Sequence, residues 1–292
     1  MLTSRGFTGT IFFLSFLSNL KNSVVAWKCP HDSKYFPDGI TIFGENTVKQ
    51  ACYVADKDET KAIPLAEIFS RMLNNHLHSD LYCIGHWYNL HDVEKKYGHK
   101  YLKRNHIHVV NLIRHPVHRT HSNWHNLRTS FSQGMPEEHR QGFIGTINHH
   151  KNWLYRFLKK HHISLQNVKD ATFIVSCLNL FACSLDARYK KYQHIQIESL
   201  NNEALICLIK NISAGKIILE DSEIKKMKIL RNSHFAHFYE KSQDITNHYT
   251  DAMTAYEKFL SWLPWQQQLY KLCVKKSKLN KYYKKYAYEL YV

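Results

Sequence analysis

Residues 108–113, His-Val-Val-Asn-Leu-Ile, form an apolar run of β-branched and aliphatic side chains that reads as a buried strand. The run passes straight into Arg114, His115 and Pro116, and the helical pattern that follows carries Ser122 and Trp124. Proline is at home in the first turn of a helix, so the junction predicts strand, tight turn and helix with little freedom between them. Such a turn puts a guanidinium and a hydroxyl together at the mouth of a sheet. A planar fork with a permanent charge beside a neutral donor suits a phosphate.

The rest of the chain alternates in the same way. Apolar runs predict strands at 24–28, 81–85, 107–113, 172–177 and 194–197. Helical spacing predicts helices at about 10–22, 65–77, 116–130, 145–161, 202–212 and 249–262, with a helical Lys/Tyr-rich tail at about 265–292. Strands alternating with helices imply an α/β fold, a parallel sheet with helices on both faces. Glycine and proline are sparse and no repeat or low-complexity linker divides the chain, so 1–292 reads as a single domain. Its 44% hydrophobic content is ample for a core. In such sheets ligands gather at the carboxyl ends of the strands.

Forty Lys and Arg against 24 Asp and Glu give a net charge of +16, which implies anionic partners. The seven cysteines are scattered and include no C-x-x-C, so a reducing compartment, the cytoplasm, is the expectation rather than a disulfide framework or zinc ribbon. Arg5 ahead of the apolar residues 11–17 imitates a short secretion signal, but Asn19 and Lys21 interrupt it. Phe12, Phe13, Phe16, Leu17 and Leu20 share one helical face, as a core-packed helix requires. No stretch reads as long enough to span a bilayer as a helix.

A second anion-binding element precedes that helix: Thr3-Ser4-Arg5-Gly6-Phe7-Thr8-Gly9-Thr10. Glycines permit a tight turn, and the N–H groups of a helix start, with the Thr8 and Thr10 hydroxyls, bind anions. No lysine follows Gly9, so the triphosphate-binding pattern G-x-x-x-x-G-K-[ST] is absent, which disfavours an ordinary ATPase or kinase. A Gly/Thr turn that merely caps a helix has the same composition.

Together the two segments resemble the sulfotransferase family, whose donor is 3′-phosphoadenosine 5′-phosphosulfate (PAPS). Phe7-Thr8-Gly9-Thr10-Ile11 stands where the family's first loop cradles the 5′-phosphosulfate. Arg114, Pro116 and Ser122 match its strand-Arg-x-Pro element, whose Arg and Ser hold the 3′-phosphate. Arg119 and Trp124 look more like the carbohydrate and bacterial branches than the cytosolic phenol and steroid branch. Residues 192–200 are similar to the family's strand ending in a Glu-x-Leu turn, so the resemblance covers about 1–200.

The resemblance implies a P-loop-type, sulfotransferase-like sheet and transfer of a sulfuryl group to a hydroxyl, on a sugar, glycolipid or small molecule. Arg5, Gly6, Phe7, Thr8, Gly9, Thr10 and Ile11 would cradle the 5′-phosphosulfate and Arg114 with Ser122 the 3′-phosphate. Arg231, in a segment similar to the family's late R-K-G element but lacking its glycine, would close over that phosphate. His86, after the strand at 81–85, is the candidate base, with Trp87, Tyr88 and His91 walling the acceptor pocket. A histidine that only caps the strand is the competing reading.

The chain departs from the family twice. Phe7 replaces the loop Lys or Arg that would stabilise charge on the departing oxygen, which leaves Arg5 as the nearest cation for that task. Met1-Leu2-Thr3 leave room only for a very short first strand, or for a chain that starts downstream of its natural beginning.

His118, His121 and His125 share a helical spacing that a metal could use, but a solvated face fits as well, and sulfuryl transfer needs no metal. His149-His150 and His161-His162 bracket an amphipathic segment and read as surface. The basic, aromatic tail suits an anionic membrane face or a helix whose tyrosines pack on the domain; nucleic acid is not expected. The alternatives are a weak or inactive sulfotransferase-fold protein that binds anions, and a divergent P-loop kinase.

Overall fold

The computed structural model describes residues 1–5, 13–14, 17, 20, 23–28, 40–44, 79–85, 89–132, 137–199, 202–220, 222 and 253–292. Its strands are β1 (Leu2–Thr3), β2 (Ser23–Lys28), β3 (Ile40–Gly44), β4 (Leu81–Gly85), β5 (Val110–Ile113) and β6 (Gln193–Gln196). Its helices are α1 (Leu90–Arg104), α2 (Pro116–Ser132), α3 (Glu137–His149), α4 (Lys151–Lys160), α5 (Val168–Ala187), α6 (Asn202–Ile212), α7 (Ala255–Leu260), α8 (Pro264–Lys276) and α9 (Leu279–Tyr283). The chain is α/β. Its contacts gather in two compact units, Met1–Ile113 with Lys191–Thr250 and Arg114–Lys190 with Asp251–Val292.

The first unit holds every strand. β1, β5 and β6 are parallel, with Thr3 opposite Asn111 and Asn111 opposite His194. β2 pairs parallel with β4 and antiparallel with β3. The antiparallel β3 departs from the all-parallel expectation, because residues 29–39 are too few for the crossover that a parallel pairing needs. β1 also touches β4. A Cβ on Gly85 would stand 2.8 Å from Leu14 Cδ2 and 3.1 Å from Leu2 Cβ, so glycine is what lets the end of β4 close on β1. The strands thus form two three-stranded sheets, β1-β5-β6 and β3-β2-β4.

Phe13, Leu14 and Leu17 are helical and, with Leu20, at most 1% exposed, packed with Leu2, Val25 and Leu112. Phe13, Leu17 and Leu20 belong to the expected core-packed face; its Phe12 and Phe16 lie outside the described residues. α6 spans the predicted 202–212 and buries Leu205, Leu208 and Ile209 in the same core. The predicted helix at 65–77 lies outside the described residues.

The second unit is helical and centred on α5. The strand predicted at 172–177 is the middle of this helix, which Asn167 opens by accepting from the Lys169 and Asp170 amides. Thirteen of its residues are buried, so the run is apolar on every side and carries no period that separates strand from helix. At 20 residues and a mean hydropathy of 1.4, α5 has the length and composition to cross a membrane, which corrects the expectation that no stretch does. It packs instead against α2, α3, α8 and α9. Phe173, fully buried on it, meets Trp124, Trp262 and Trp265 edge-on at 5.1, 5.1 and 5.7 Å between ring centroids.

The helix predicted at 145–161 is two, α3 and α4, broken at His150. α7 begins on a capping box between Thr254 and Glu257, and α8 on Pro264. The tail is helical as expected, and its Leu279 and Tyr283 are buried in this core. The described cysteines, 83, 177, 183, 207 and 273, are free thiols.

Candidate functional site

Arg114 follows β5 directly, and Ser122 lies in the second turn of α2. The turn is set by His115, which is 7% exposed. Its Nδ1 accepts from the Val117 amide at 3.2 Å and its Nε2 donates to the Glu289 carbonyl at 2.9 Å. An amide only donates and a carbonyl only accepts, so the proton of this imidazole sits on Nε2. His115 therefore caps α2 with one nitrogen and ties the C-terminal segment to its start with the other. Tyr288 and Tyr291 pack on the ring, with centroids 5.0 and 5.9 Å away.

This cap brings the two predicted phosphate ligands together. Arg114 Nη1 donates to Ser122 Oγ at 3.1 Å, and both side chains are half-buried. A fork and a hydroxyl donor at the start of a helix can hold a tetrahedral anion.

Arg119 and Trp124 turn away from that role. Arg119 is 5% exposed and near Tyr283, whose phenol burial pushes well above its usual range while the Arg119 charge pulls it down. Trp124 donates from Nε1 to the Lys169 carbonyl at 3.0 Å and packs on Phe173.

Arg5 is half-buried just past β1. β1 is a two-residue strand, the very short form that the sequence allows. A polar ladder fastens it. Thr3 Oγ1 donates to Asn111 Oδ1 at 2.9 Å, and Asn111 Nδ2 donates to His194 Nδ1 at 3.2 Å, across all three strands of the sheet. Thr3 and Asn111 are 0% and 1% exposed. Nothing in the sequence singles out Asn111; it reads as one polar residue in an apolar strand.

A second tie, also missed, joins α1 to the start of β6. Glu94 accepts from Lys191 at 2.5 Å and from the Tyr192 hydroxyl. Burial pushes this carboxyl up, but the two hydrogen bonds and the lysine charge outweigh it and hold the group below its usual range.

Gly6, Phe7, Thr8, Gly9, Thr10, Ile11, His86, Trp87, Tyr88 and Arg231 lie outside the described residues. His91 is half-buried in the first turn of α1. Of the predicted histidine face, His121 accepts from Trp262 Nε1 at 3.4 Å and stands 4.4 Å from the His125 ring. Among the described residues no three His, Cys, Asp or Glu side chains gather as a metal-ligand group. Comparison of the chain with protein-family models, curated proteins and solved structures gave no match.

Proposed function

We propose that the chain is a sulfotransferase of P-loop type that uses PAPS and a hydroxyl acceptor, a carbohydrate or glycolipid first. The observation that carries this reading is the Arg114–Ser122 hydrogen bond at the strand-to-helix junction. Paired there, the two side chains fit a 3′-phosphate, and the loop Arg5–Ile11, ahead of the first helix, is suited by its glycines and hydroxyls to the 5′-phosphosulfate.

In the proposed reaction the acceptor oxygen attacks sulfur from the side opposite the bridging oxygen. The new S–O bond forms as the bond to the 5′-phosphate oxygen breaks, and the electron pair leaves on adenosine 3′,5′-bisphosphate. His86 takes the acceptor proton. Positioning and charge stabilisation then decide the rate, as in phosphoryl transfer.

Calorimetric titration with adenosine 3′,5′-bisphosphate tests the reading. Arg114→Ala should weaken binding by roughly tenfold or more, the worth of a charge-assisted contact. No binding by the native chain, or an unchanged affinity in the variant, overturns it.

A second reading has its own support. Phe7 stands where a loop cation would offset charge on the leaving oxygen, so a protein that binds the nucleotide and transfers little is consistent with the same site. It predicts nucleotide binding without transfer of labelled sulfate to any offered acceptor. A divergent kinase would instead require ATP and Mg²⁺.

A further inference from the structure

The helical unit contains an open cavity of about 740 Å³ that takes in neither Arg114 nor Ser122. One wall is α3, where Gly142, Gly145, Thr146 and His149 form a stripe. A Cβ on either glycine would meet nothing within 4 Å, so a ligand can approach the helix backbone closely. α5 adds Phe181, whose ring lies 4.3 Å from that of His150 and is tilted 39° to it.

The lining is also cationic. Arg188, Lys276 and Lys278 belong to it, and no aspartate or glutamate does. Among the described residues the ion pairs are Lys191–Glu94 and Lys216–Asp80, so none of these cations has a carboxylate partner. Two of them lie against aromatic rings. The Arg188 guanidinium sits 5.8 Å from the Tyr282 ring and the Lys276 ammonium 5.4 Å from Trp153. Buried Ser184 donates to the Ser277 carbonyl at 2.7 Å and locks the turn between α8 and α9. Within that turn Lys278 is held at φ 59°, a left-handed conformation that side-chain-bearing residues rarely keep without support from their surroundings.

The geometry points to a binding site for a small ring compound that carries two or more sulfate or phosphate esters. The cavity is of small-molecule size, the three cations suit clustered oxyanions, and the open glycine stripe beside the Phe181 and His150 rings leaves room for a ring. The site stands on its own residues and does not depend on sulfuryl transfer.

Calorimetry on the full chain, with a heparin-derived trisulfated disaccharide and with inositol 1,4,5-trisphosphate, tests it. At least one binds, and the tighter of the two identifies whether sulfated sugars or phosphorylated rings are the source. Arg188→Glu/Lys276→Glu should weaken that ligand about tenfold or more. Gly145→Leu should also weaken it by filling the cavity, while its better helix propensity excludes unfolding as the cause. The proposal is overturned if neither probe binds, if both variants bind like the native chain, or if adenosine 3′,5′-bisphosphate displaces the probe competitively. The last result would make the cavity the nucleotide's own site.

Discussion

A strand of two residues is too short to hold its place by backbone pairing alone, and the Thr3–Asn111–His194 ladder explains how β1 does so. Asn111→Leu removes the middle of that ladder while keeping the bulk of the side chain. Thr3 Oγ1, 0% exposed, would then be left with a 3.4 Å contact to the Val110 carbonyl, a poor hydrogen bond. Stranding a buried hydroxyl in this way costs about 1–3 kcal/mol. The His194 end contributes less, since that ring is half-buried and water can replace the lost amide. Burial of the new leucine offsets part of the loss, so a net destabilisation of about 1–2 kcal/mol is expected.

Thr3→Val should cost a similar amount by stranding Asn111 Oδ1. The double variant replaces both partners with apolar groups of like shape and should return to within about 1 kcal/mol of the native chain. Urea unfolding followed by tryptophan fluorescence measures all four proteins of the cycle. Two single variants that simply add would refute the ladder. So would an Asn111→Leu variant as stable as the native chain.

Two other outcomes follow from the same structure, and a third from the proposed function. Phe173→Ala removes a fully buried ring from between three tryptophans and should cost about 3–5 kcal/mol in chemical denaturation; a loss under about 1 kcal/mol would contradict a packed α5. Because the folded protein holds Glu94 below its usual range, its contribution is present above the unfolded value and fades as pH falls through the folded one. Thermal melts should therefore show Glu94→Gln less stable at neutral pH, by about 1 kcal/mol or less given that Lys191 is 42% exposed, with the gap closing in acid. Phe7→Lys should raise sulfate transfer from PAPS by roughly tenfold or more while leaving nucleotide affinity within a few-fold, measured by labelled-sulfate assay and calorimetry.

Elements whose apolar spacing belongs to one face were legible in the sequence. α6 is the clearest case: Leu205, Leu208 and Ile209 fall on one stripe, and that stripe is buried. α5 was not legible over 172–177, because a helix surrounded by other helices is apolar all round and loses its period. The break at His150 was hidden for the opposite reason. Ile147, Leu154 and Leu158 keep a near-helical spacing across it, so the pattern runs on where the backbone does not. The site divides in the same way. Arg114 and Ser122 meet within a local strand–turn–helix, which sequence spacing can specify. The cationic cavity draws Gly145, Arg188 and Lys278 from distant segments, and only the fold joins them. His149 and His150, which read as plain surface, become part of its wall.

On the proposed reading, holding the donor and activating it are separate tasks. The holding side is over-determined: His115 caps the helix, the same ring is tied to Glu289, and Arg114 is hydrogen-bonded to Ser122 before any ligand arrives. Such preorganisation lowers the ordering cost of binding, so it favours affinity. It does not by itself favour turnover, because contacts to a 3′-phosphate are as strong in the ground state as in the transition state. The proposed turnover needs charge stabilisation at the bridging oxygen, and the loop carries Phe7 where the resemblance leads one to expect a cation. Arg114 variants should accordingly move affinity and Phe7 variants rate. Arg114→Ala that left nucleotide affinity intact and lowered only the rate would invert that assignment and place the guanidinium at the sulfur rather than at the 3′-phosphate.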